Sequence, residues 1–487
     1  MNAPVRYPML AVVAFSIAIQ GQANGQIIPL KTVPVATGDQ FLILPSQRLG
    51  MGSVGIALDD KKLDLFVNPA KGALVEESVL LGVPTFYGIS DQNGAGRTLP
   101  LSALLRGDRA FGGFSFALQQ IEGGQRNDIF LPMARWIGPP QQLRELSARN
   151  VYANGVFGME LGTSGLSLGG GISWSGLGAV DGVEHLYALS SEIDQSGHMI
   201  DYRIGIFSNR DDRHFEAVLL HNRFEMTHDV TYLDWVWNPP DEGVLTSRIE
   251  TNLDHTRTTG LHLGFARPIT ESGWRAGGSW TVNRKIHPKI PNYEIMNIPR
   301  DPGISWAYEF GIGIAKSKGP ATFGVDLLVQ PIWSDTWAEA EADTTGWAGE
   351  IRKGERTIEN EFFFANVKMR MGMSYDIKPA TVQMGVEVRS YDYTLVQRNN
   401  LEGTIRDQDE SWMEWTPSLG VQIRFPELEL GYVGRITTGS GRPGVQWTGA
   451  RAEAMLSSDF IIAPSGPLTL QDALVLTHQL SISIPIR

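Results

Sequence analysis

Alternation of apolar with polar or small residues, repeated along most of the chain after Ser78, constrains the fold of this sequence more than any other feature. In one such run the alternate residues are large and apolar, namely Trp306, Tyr308, Phe310, Ile312 and Ile314. The residues between them are small or charged, as at Glu309 and Gly311. Successive side chains of a β-strand point to opposite faces, so a period of two predicts a strand with one apolar face. The chain is therefore predicted to be all-β.

The apolar faces have the length of membrane-spanning strands. Similar runs cover residues 113–118, 367–375, 382–389 and 474–486. The longer of these runs match the roughly 9–11 residues with which a tilted strand crosses a bilayer. The opposite faces mix small residues with charged ones, as at Glu309, Asp326, Lys368, Arg370, Glu387 and Arg389. This pattern predicts a transmembrane antiparallel β-barrel with a polar or ligand-lined interior; a soluble β-sandwich or solenoid is the alternative.

The connections between the runs fall into two classes. Tight links lie at 162–165, 316–319, 376–379 and 426–427, and long ones at Ile121–Asn150, Lys285–Gly303, Ser334–Asn360, Arg398–Ser411 and Thr438–Gln471. Short turns on one side and long loops on the other are typical of outer-membrane barrels. We count 14 to 18 strands, since Leu99–Leu105 and Val230–Val236 could be strands or loops, and we expect an even number. Tryptophans at strand ends fit interfacial girdles: Trp174, Trp306, Trp333, Trp337, Trp412 and Trp447.

The N-terminus predicts export. Arg6 precedes the apolar run Met9–Ile19, and Gly21-Gln22-Ala23 suits cleavage by signal peptidase. We therefore predict a signal peptide over residues 1–23, with an N-terminal buried helix as the alternative. No later run reaches the ~18 uncharged apolar residues of a membrane-spanning helix, so any span must be made of strands. The predicted location is the outer membrane of a diderm bacterium.

Composition excludes several classes of function. The net charge of −12 argues against a nucleic-acid partner, which would need a basic face. The absence of cysteine excludes disulfides, thiolate nucleophiles and cysteine-ligated metals. The nine histidines show no ligand spacing, and acidic loop residues such as Asp407 and Asp409 are better explained as solvated than as a calcium site. We predict no cofactor.

Two motifs resemble nucleotide-binding and catalytic signatures. Gly50 to Gly55 matches G-x-G-x-x-G, but no strand–helix–strand unit follows, so we expect close backbone packing rather than a nucleotide site. Gly165 to Gly169 matches G-x-S-x-G, but the alternation continues straight through it, so Ser167 is predicted to be a serine of a strand that faces the lumen. We predict that the protein is not an enzyme.

The stretch from Leu49 to Ala73 combines small residues, an acidic pair and Asn-Pro-Ala just before the first predicted strand. Its sequence, LGMGSVGIALDD followed by LFVNPAKGA, resembles the outer-membrane long-chain fatty-acid transporter superfamily, which includes FadL/TodX-like transporters and PorV-like relatives. The matching residues are Gly50, Gly52, Gly55, Asp59, Asp60, Asn68, Pro69 and Ala70. Lys71 and Gly72 depart from the family pattern.

The resemblance implies a 14-stranded barrel, residues 78–487, whose N-terminal residues 24–77 form a hatch inside the lumen. It implies passive uptake of hydrophobic small molecules, such as long-chain fatty acids or hydrocarbons, that leave sideways through the wall. The alternative is a PorV-like shuttle or scaffold for secreted or surface-attached proteins. A periplasmic capping segment without a transport role is the other interpretation of residues 24–77. The expected partners are membrane lipid and a hydrophobic substrate, or a secreted protein under the alternative.

Overall fold

The structure is a computed structural model that describes residues 26–123, 147–162, 164–183, 190–238, 242–269, 273–287, 302–340, 342–443 and 470–486. The predicted signal peptide lies outside the described residues. Strands dominate the remainder, as the alternation predicts.

Within the described ranges, sixteen strands form one antiparallel sheet. They are β1 (Val79–Gly82 and Thr85–Ile89), β2 (Gly94–Arg106), β3 (Ala110–Gly123), β4 (Ser147–Leu161), β5 (Leu166–Leu177), β6 (Ser190–Arg210), β7 (Arg213–Asn238), β8 (Glu242–Pro268), β9 (Trp274–His287), β10 (Gly303–Lys318), β11 (Ala321–Glu339), β12 (Arg356–Ile377), β13 (Ala380–Asn399), β14 (Thr404–Arg424), β15 (Glu429–Pro443) and β16 (Leu470–Pro485). A separate hairpin joins Thr344–Gly346 to Gly349–Ile351.

The sheet closes on itself. Both parts of β1 pair with β2 and with β16, so β1 is one strand interrupted at Val83 and Pro84. Pro84 has no N–H, yet its carbonyl still accepts a 2.9 Å hydrogen bond from Leu480 N. Closure leaves neither the first nor the last strand unpaired, which is what a membrane environment requires of a β-structure.

The strand number of 16 corrects the 14 that the family resemblance implies, and it lies within the range of 14 to 18 that the alternation gives. Leu99–Leu105 belongs to a full strand, β2, and Val230–Val236 continues β7. Because barrel diameter grows with strand number, the additional strand pair widens the space inside.

Connections of two to five residues join the strands at one rim, which we call the turn side. The other rim, the loop side, carries the longer connections. The prediction of a long loop over Arg398–Ser411 is wrong, because β13 and β14 continue as a paired ribbon up to Asn399 and Thr404. Beyond the bilayer both faces of a strand are polar, so hydrophobic alternation no longer reveals a strand that backbone hydrogen bonds maintain.

The outward face is the apolar one. Large apolar side chains point outward with about half of their surface exposed, among them Leu101, Phe116, Ile204, Phe310, Ile312, Leu419 and Leu480. Trp174, Trp306 and Trp333 are outward and exposed, as girdle residues should be. Trp412 instead lies on the inward face, where its ring stacks on Tyr391 with centroids 4.9 Å apart. Trp447 lies outside the described residues.

Residues 26–78, which we call the N-terminal segment, precede β1. They contain the short helix α1 (Asp64–Val67) and the 3-10 turns Leu49–Met51 and Pro69–Leu74; a further 3-10 turn, Ser90–Gln92, follows β1. None of the helices among these described residues is long and apolar enough to cross a membrane. The segment contacts buried, inward-facing side chains of the wall, as at Ser167, Asp326 and Ser418.

Candidate functional site: the N-terminal segment and the barrel interior

Asn68-Pro69-Ala70 packs against glycines of β5 and β6. Pro69 restricts Asn68 to an extended conformation (φ −125°, ψ 104°), and the Asn68 side chain accepts a hydrogen bond from Ala70 N. A Cβ at Gly205 would lie 2.0 Å from Asn68 Oδ1, and one at Gly169 would lie 2.5 Å from the Pro69 carbonyl carbon. The motif therefore requires a wall without side chains at these two positions.

Two wall side chains bind the backbone beside the motif. Ser167 Oγ donates a 2.9 Å hydrogen bond to the carbonyl of Ala70. Arg203 Nη1 donates one of the same length to the carbonyl of Val67. Asn68 Nδ2 donates to Glu216 of β7 at 2.9 Å. Ser167 is thus an inward-facing serine that holds the N-terminal segment, and β5 runs straight through the G-x-S-x-G sequence.

The glycines at the other end of the stretch pack on β12, β13 and β14. Gly52 has a φ of +66°, which favours glycine. A Cβ at Gly385 would lie 2.2 Å from Gly52 N, and one at Gly372 would lie 2.0 Å from Met51 O. Gly50 faces Gly420 in the same way, whereas a Cβ at Gly55 would meet nothing closer than 3.8 Å. Close backbone approach therefore accounts for Gly50 and Gly52 but not for Gly55.

The two residues of the acidic pair, Asp59 and Asp60, have different partners. Asp60 is buried and accepts hydrogen bonds from Ser46 Oγ and from the backbone N–H groups of Gln47, Arg48, Lys62 and Leu63, which fixes the turn before α1. Asp59 turns to the wall, where His214 Nδ1 lies 3.1 Å from its carboxylate. Burial alone would raise the pKa of Asp59, but the hydrogen bond with His214 and the charge of Lys71 hold that pKa well below its usual range.

Lys71 lies at the centre of a charged cluster that we call the Lys71 cluster. Its Nζ is 2.8 Å from Asp64, 3.4 Å from Asp59 and 3.5 Å from Glu216. Burial alone would lower the pKa of Lys71, but these carboxylates outweigh it and raise the pKa well above the ordinary value. Burial raises the pKa of Asp64 to about 7, against the lowering effect of Lys71. One cation therefore joins two carboxylates of the N-terminal segment to one of the wall.

A cavity of about 190 Å³ lies between the N-terminal segment and β7–β12. Its lining combines apolar residues such as Ile56 and Phe265 with many ionisable ones, namely Arg48, Asp59, Asp60, Asp64, Lys71, His214, Glu216, His262, Glu309, Lys368 and Arg370. Wall ion pairs, such as Lys368 with Glu309 at 3.1 Å and Arg370 with Glu387 at 2.6 Å, lie in or beside it. This turn-side half of the interior is charged, and the space suits water better than hydrocarbon.

Toward the loop side the interior contains a large apolar region beside buried ion pairs such as that of Arg442 with Asp181. Wall residues and residues of the N-terminal segment form one packed group, the apolar interior cluster, which includes Ile28, Leu30, Phe41, Met199, Phe224, Met226, Ile332, Phe362, Phe364, Tyr393 and Leu395. Aromatic rings pack within it: Phe362 and Phe364 are stacked with their centroids 5.8 Å apart, and the ring of Tyr393 is tilted against that of Phe364 at 5.5 Å. Lys31 of the segment crosses the rim of this cluster, 5.5 Å above the ring of Tyr391, to pair with Glu414.

Toward the loop side, β15 bonds to the N-terminal segment instead of to β14. The β14–β15 ladder runs from Arg424↔Glu429 to Trp415↔Thr438, and no pair of described residues continues it toward the loop side. There β15 bonds to the N-terminal segment instead: Ala36 N donates to Gly441 O at 2.7 Å, and Gly441 N donates to Pro34 O at 2.9 Å. We call this place the β14–β15 seam.

Sequence reasoning missed the wall residues of the site. The alternation predicts Asp326 only as an inward charge, whereas its carboxylate accepts hydrogen bonds from Gly55 N at 2.7 Å and from Ile56 N at 3.2 Å. Gly169, Gly205, Gly372 and Gly385 look like other strand glycines in the sequence. A glycine at an inward-facing position is the only signal that the sequence offers for such a contact. The partner of that glycine in the N-terminal segment cannot be read from the sequence, because it depends on strand register.

The exterior decides where the protein resides. A closed barrel with a broad apolar outer face and exposed tryptophans can be solvated only by lipid, and such barrels belong to outer membranes. This is an outer-membrane β-barrel protein.

Several solved outer-membrane proteins have a similar structure. A FadL homologue of Pseudomonas aeruginosa has 12% sequence identity and a TM-score of 0.45, over 94% of this chain and 100% of that one. The toluene transporter TodX of Pseudomonas putida has 11% identity and a TM-score of 0.41, over 94% and 100%. The toluene transporter TbuX of Ralstonia pickettii has 11% identity and a TM-score of 0.38, over 90% and 97%.

Comparisons of sequence give nothing further. No family model matches the chain, and no curated protein matches it.

Proposed function

We propose that this outer-membrane barrel takes up hydrophobic small molecules passively and that its N-terminal segment acts as a hatch. The observation that carries the proposal is the apolar interior cluster, in which Ile28 and Leu30 of the segment pack with aromatic wall residues such as Phe364. A polar solute gains nothing from such an interior, whereas an apolar solute leaves water at a gain of ~25 cal/mol per Å² of surface buried.

The charged half of the interior defines the direction of exit. A hydrophobic molecule moving toward the turn side would meet the Lys71 cluster and the ion pairs of the wall. Burying apolar surface among these charges would disturb their solvation and pairing. The β14–β15 seam offers a sideways route, since within the described residues the β14–β15 ladder ends at Trp415↔Thr438 and the backbone of Pro34 and Ala36 bonds to β15 beyond that point.

The substrates proposed are long-chain fatty acids or hydrocarbons, a range that includes the toluene named for TodX and TbuX. Passive movement into an apolar interior needs no cofactor, and the roles assigned here require no catalysis. The hatch comprises residues 24–77 and the barrel residues 78–487.

Uptake by intact cells tests the proposal. Cells with and without the gene are compared for accumulation of radiolabelled oleate and radiolabelled toluene at concentrations that limit uptake. We expect at least one of the two probes to accumulate faster when the protein is present. Equal accumulation of both in a strain without a second transporter of this type would contradict the proposal.

A disulfide lock tests the route. Because the chain contains no cysteine, Val35→Cys with Gly441→Cys introduces one pair at the β-bridge. We expect oxidation to slow uptake and reduction to restore it. Ser102→Cys with Ser115→Cys is the matched control, since these buried residues already face each other in the β2–β3 ladder with 2.8 Å between hydroxyl oxygens. Equal effects of both locks would argue against a route at the seam.

One feature favours a second function, a PorV-like scaffold for secreted or surface proteins. Trp347, at the tip of the small hairpin on the loop side, is 77% exposed, and Ile405 is 68% exposed on the β13–β14 ribbon. Under this alternative, substitution of both by serine would release a bound protein partner from the cell surface while leaving uptake unchanged. Loss of uptake without loss of a partner would favour the channel.

A further inference from the structure

Three arginines form a patch on the outside of the wall, which we call the outer basic patch: Arg223 of β7, Arg257 of β8 and Arg284 of β9. All three are exposed and lie on the outward face of their strands. The inward neighbours of Arg257, Thr256 and Thr258, are buried, which fixes its outward direction. The chain as a whole has a net charge of −12, so the patch opposes the general balance.

Strand register brings the arginines together. Arg223 and Arg257 are directly opposed in the β7–β8 ladder. Arg284 pairs with Thr259, which places Arg284 diagonally beside Arg257. Directly opposed residues of an antiparallel pair have Cβ atoms about 4.5–5.5 Å apart, and diagonal ones are about 7–8 Å apart. Like charges at such spacing repel each other unless an anion lies between them.

The protein itself supplies only part of that anionic charge. Arg223 Nε donates a 2.5 Å hydrogen bond to Glu225 two residues along the same strand. No carboxylate within the described ranges forms an ion pair with Arg257 or Arg284. Two guanidinium groups therefore remain to bind an external anion.

The patch lies at the level of the loop-side membrane interface. Arg284 is paired with Trp306 in the β9–β10 ladder, and its guanidinium lies 5.8 Å from the centre of that ring. Trp306 and its neighbour Trp333 belong to the exposed aromatic row of this rim. Below the patch, Leu219 and Phe265 face the hydrocarbon. In an outer membrane the loop side is the outer leaflet, whose glycolipid carries its phosphates at this depth.

We propose that the outer basic patch binds the phosphorylated headgroup of the outer-leaflet glycolipid. Guanidinium groups bind phosphate through paired, charge-assisted hydrogen bonds, and Arg257 and Arg284 are available to bind a phosphate monoester in this way, with the positive charge of Arg223 beside them. The acyl chains of the same lipid would lie along the apolar wall of β7–β9. The site is separate from the interior and does not depend on what the barrel transports.

Lipid binding by the purified full-length protein tests this site. Diphosphoryl lipid A is titrated in mixed detergent micelles, with dephosphorylated lipid A and inorganic phosphate titrated in parallel. For Arg257→Gln with Arg284→Gln we expect affinity for diphosphoryl lipid A to fall at least about tenfold, because two charge-assisted contacts are lost. Dephosphorylated lipid A should bind the wild-type and variant proteins equally.

The matched control removes two outward cations from the turn side. Arg267 lies on β8, and Lys316 lies 4.7 Å from the ring of Trp274, so Arg267→Gln with Lys316→Gln changes the same charge at the opposite interface. Its affinity for diphosphoryl lipid A should stay within about twofold of the wild type. An unchanged affinity in the Arg257/Arg284 variant would overturn the proposal. So would inorganic phosphate binding as tightly as the lipid, which would indicate a free-anion site.

Discussion

At the scale of single residues, the contact between the N-terminal segment and the wall depends on Lys71. Its side chain is buried beside three carboxylates. A buried cation of this kind is costly alone, but its removal leaves the carboxylates facing one another without compensation. His214 and Arg275 of the wall contact Asp59, but among the described residues neither forms an ion pair with Asp64.

Lys71→Met is expected to loosen the N-terminal segment without unfolding the barrel. Breaking a buried ion pair typically costs ~3–5 kcal/mol, and here the loss falls on the contact between segment and wall. Limited proteolysis of the purified protein, followed by mass spectrometry, measures cleavage within residues 26–77. Lys61→Met is the control, because Lys61 and Glu76 form an exposed pair that is worth at most ~1 kcal/mol. Equal protection of both variants would contradict the role given to Lys71.

The pH dependence of the Lys71 cluster follows from Asp64. Its pKa is raised from 3.8 to about 7, so the folded form retains a proton that the unfolded chain has already lost. This contribution favours the docked segment at low pH and is lost as pH rises toward 7. For Asp64→Asn, which cannot ionise, the gain in protease protection over wild type should therefore be larger at pH 8 than at pH 5. A gain that decreases with pH would show the opposite sign.

At the scale of elements, the N-terminal segment is received by strands whose inward side chains are missing. Gly372 and Gly385 accept the backbone of Met51 and Gly52, and Gly169 and Gly205 accept Asn68 and Pro69. A strand glycine weakens its own ladder, so several of them on the inner wall imply a compensating contact. The compensating contact is close packing of the segment's backbone against the wall, which a residue with a side chain in place of these glycines would prevent.

Gly385→Ala is expected to displace the 49–53 turn. The new Cβ would lie 2.2 Å from both Gly52 N and Met51 C, and backbone atoms on either side cannot move aside as a flexible side chain could. Antibiotic sensitivity of cells, as a measure of leakage through the barrel, should increase. Gly155→Ala is the control, since a Cβ at this strand glycine would meet nothing within 4 Å. A tight barrel with Gly385→Ala would show that the turn tolerates the extra methyl.

Sequence and structure agree where contact with lipid alone determines the pattern of apolar residues. The alternation of Trp306 to Ile314 identified β10 and its outward face, because lipid contact imposes a period of two on every strand. It failed at Arg398–Ser411, where water surrounds the ribbon and the pattern disappears. It also assigned Trp412 to a girdle, since a strand end does not reveal which face meets the lipid. The partners of the N-terminal segment could not be predicted, because they depend on which residues of distant strands share a level.

At the scale of the whole molecule, 16 strands enclose a wide interior. Barrels of 16 to 18 strands leave an aqueous channel when nothing fills them. Here the N-terminal segment, the ion pairs of the wall and the apolar interior cluster occupy that space. We therefore propose that closure of the lumen depends on the segment rather than on the width of the ring.

Deletion of residues 26–77 is expected to convert the protein into an open pore. In planar lipid bilayers the deleted protein should conduct ions steadily, whereas the full-length protein should remain closed or open only briefly. Resistance of the barrel to denaturation in detergent at room temperature would verify that the deletion variant has folded. A folded but non-conducting variant would mean that other residues close the lumen.

Ring closure also has a consequence for assembly in the membrane. The N-terminal segment leads directly into β1, the strand that β16 must find to complete the ring. Lys62 of the segment contacts both Glu429 of β15 and Ser483 of β16, at 2.7 and 2.8 Å. Because β15 and β16 follow the segment in the chain, they meet a surface that already includes it. Insertion machinery that delivers β16 to β1 would seal the ring and enclose its contents in one step.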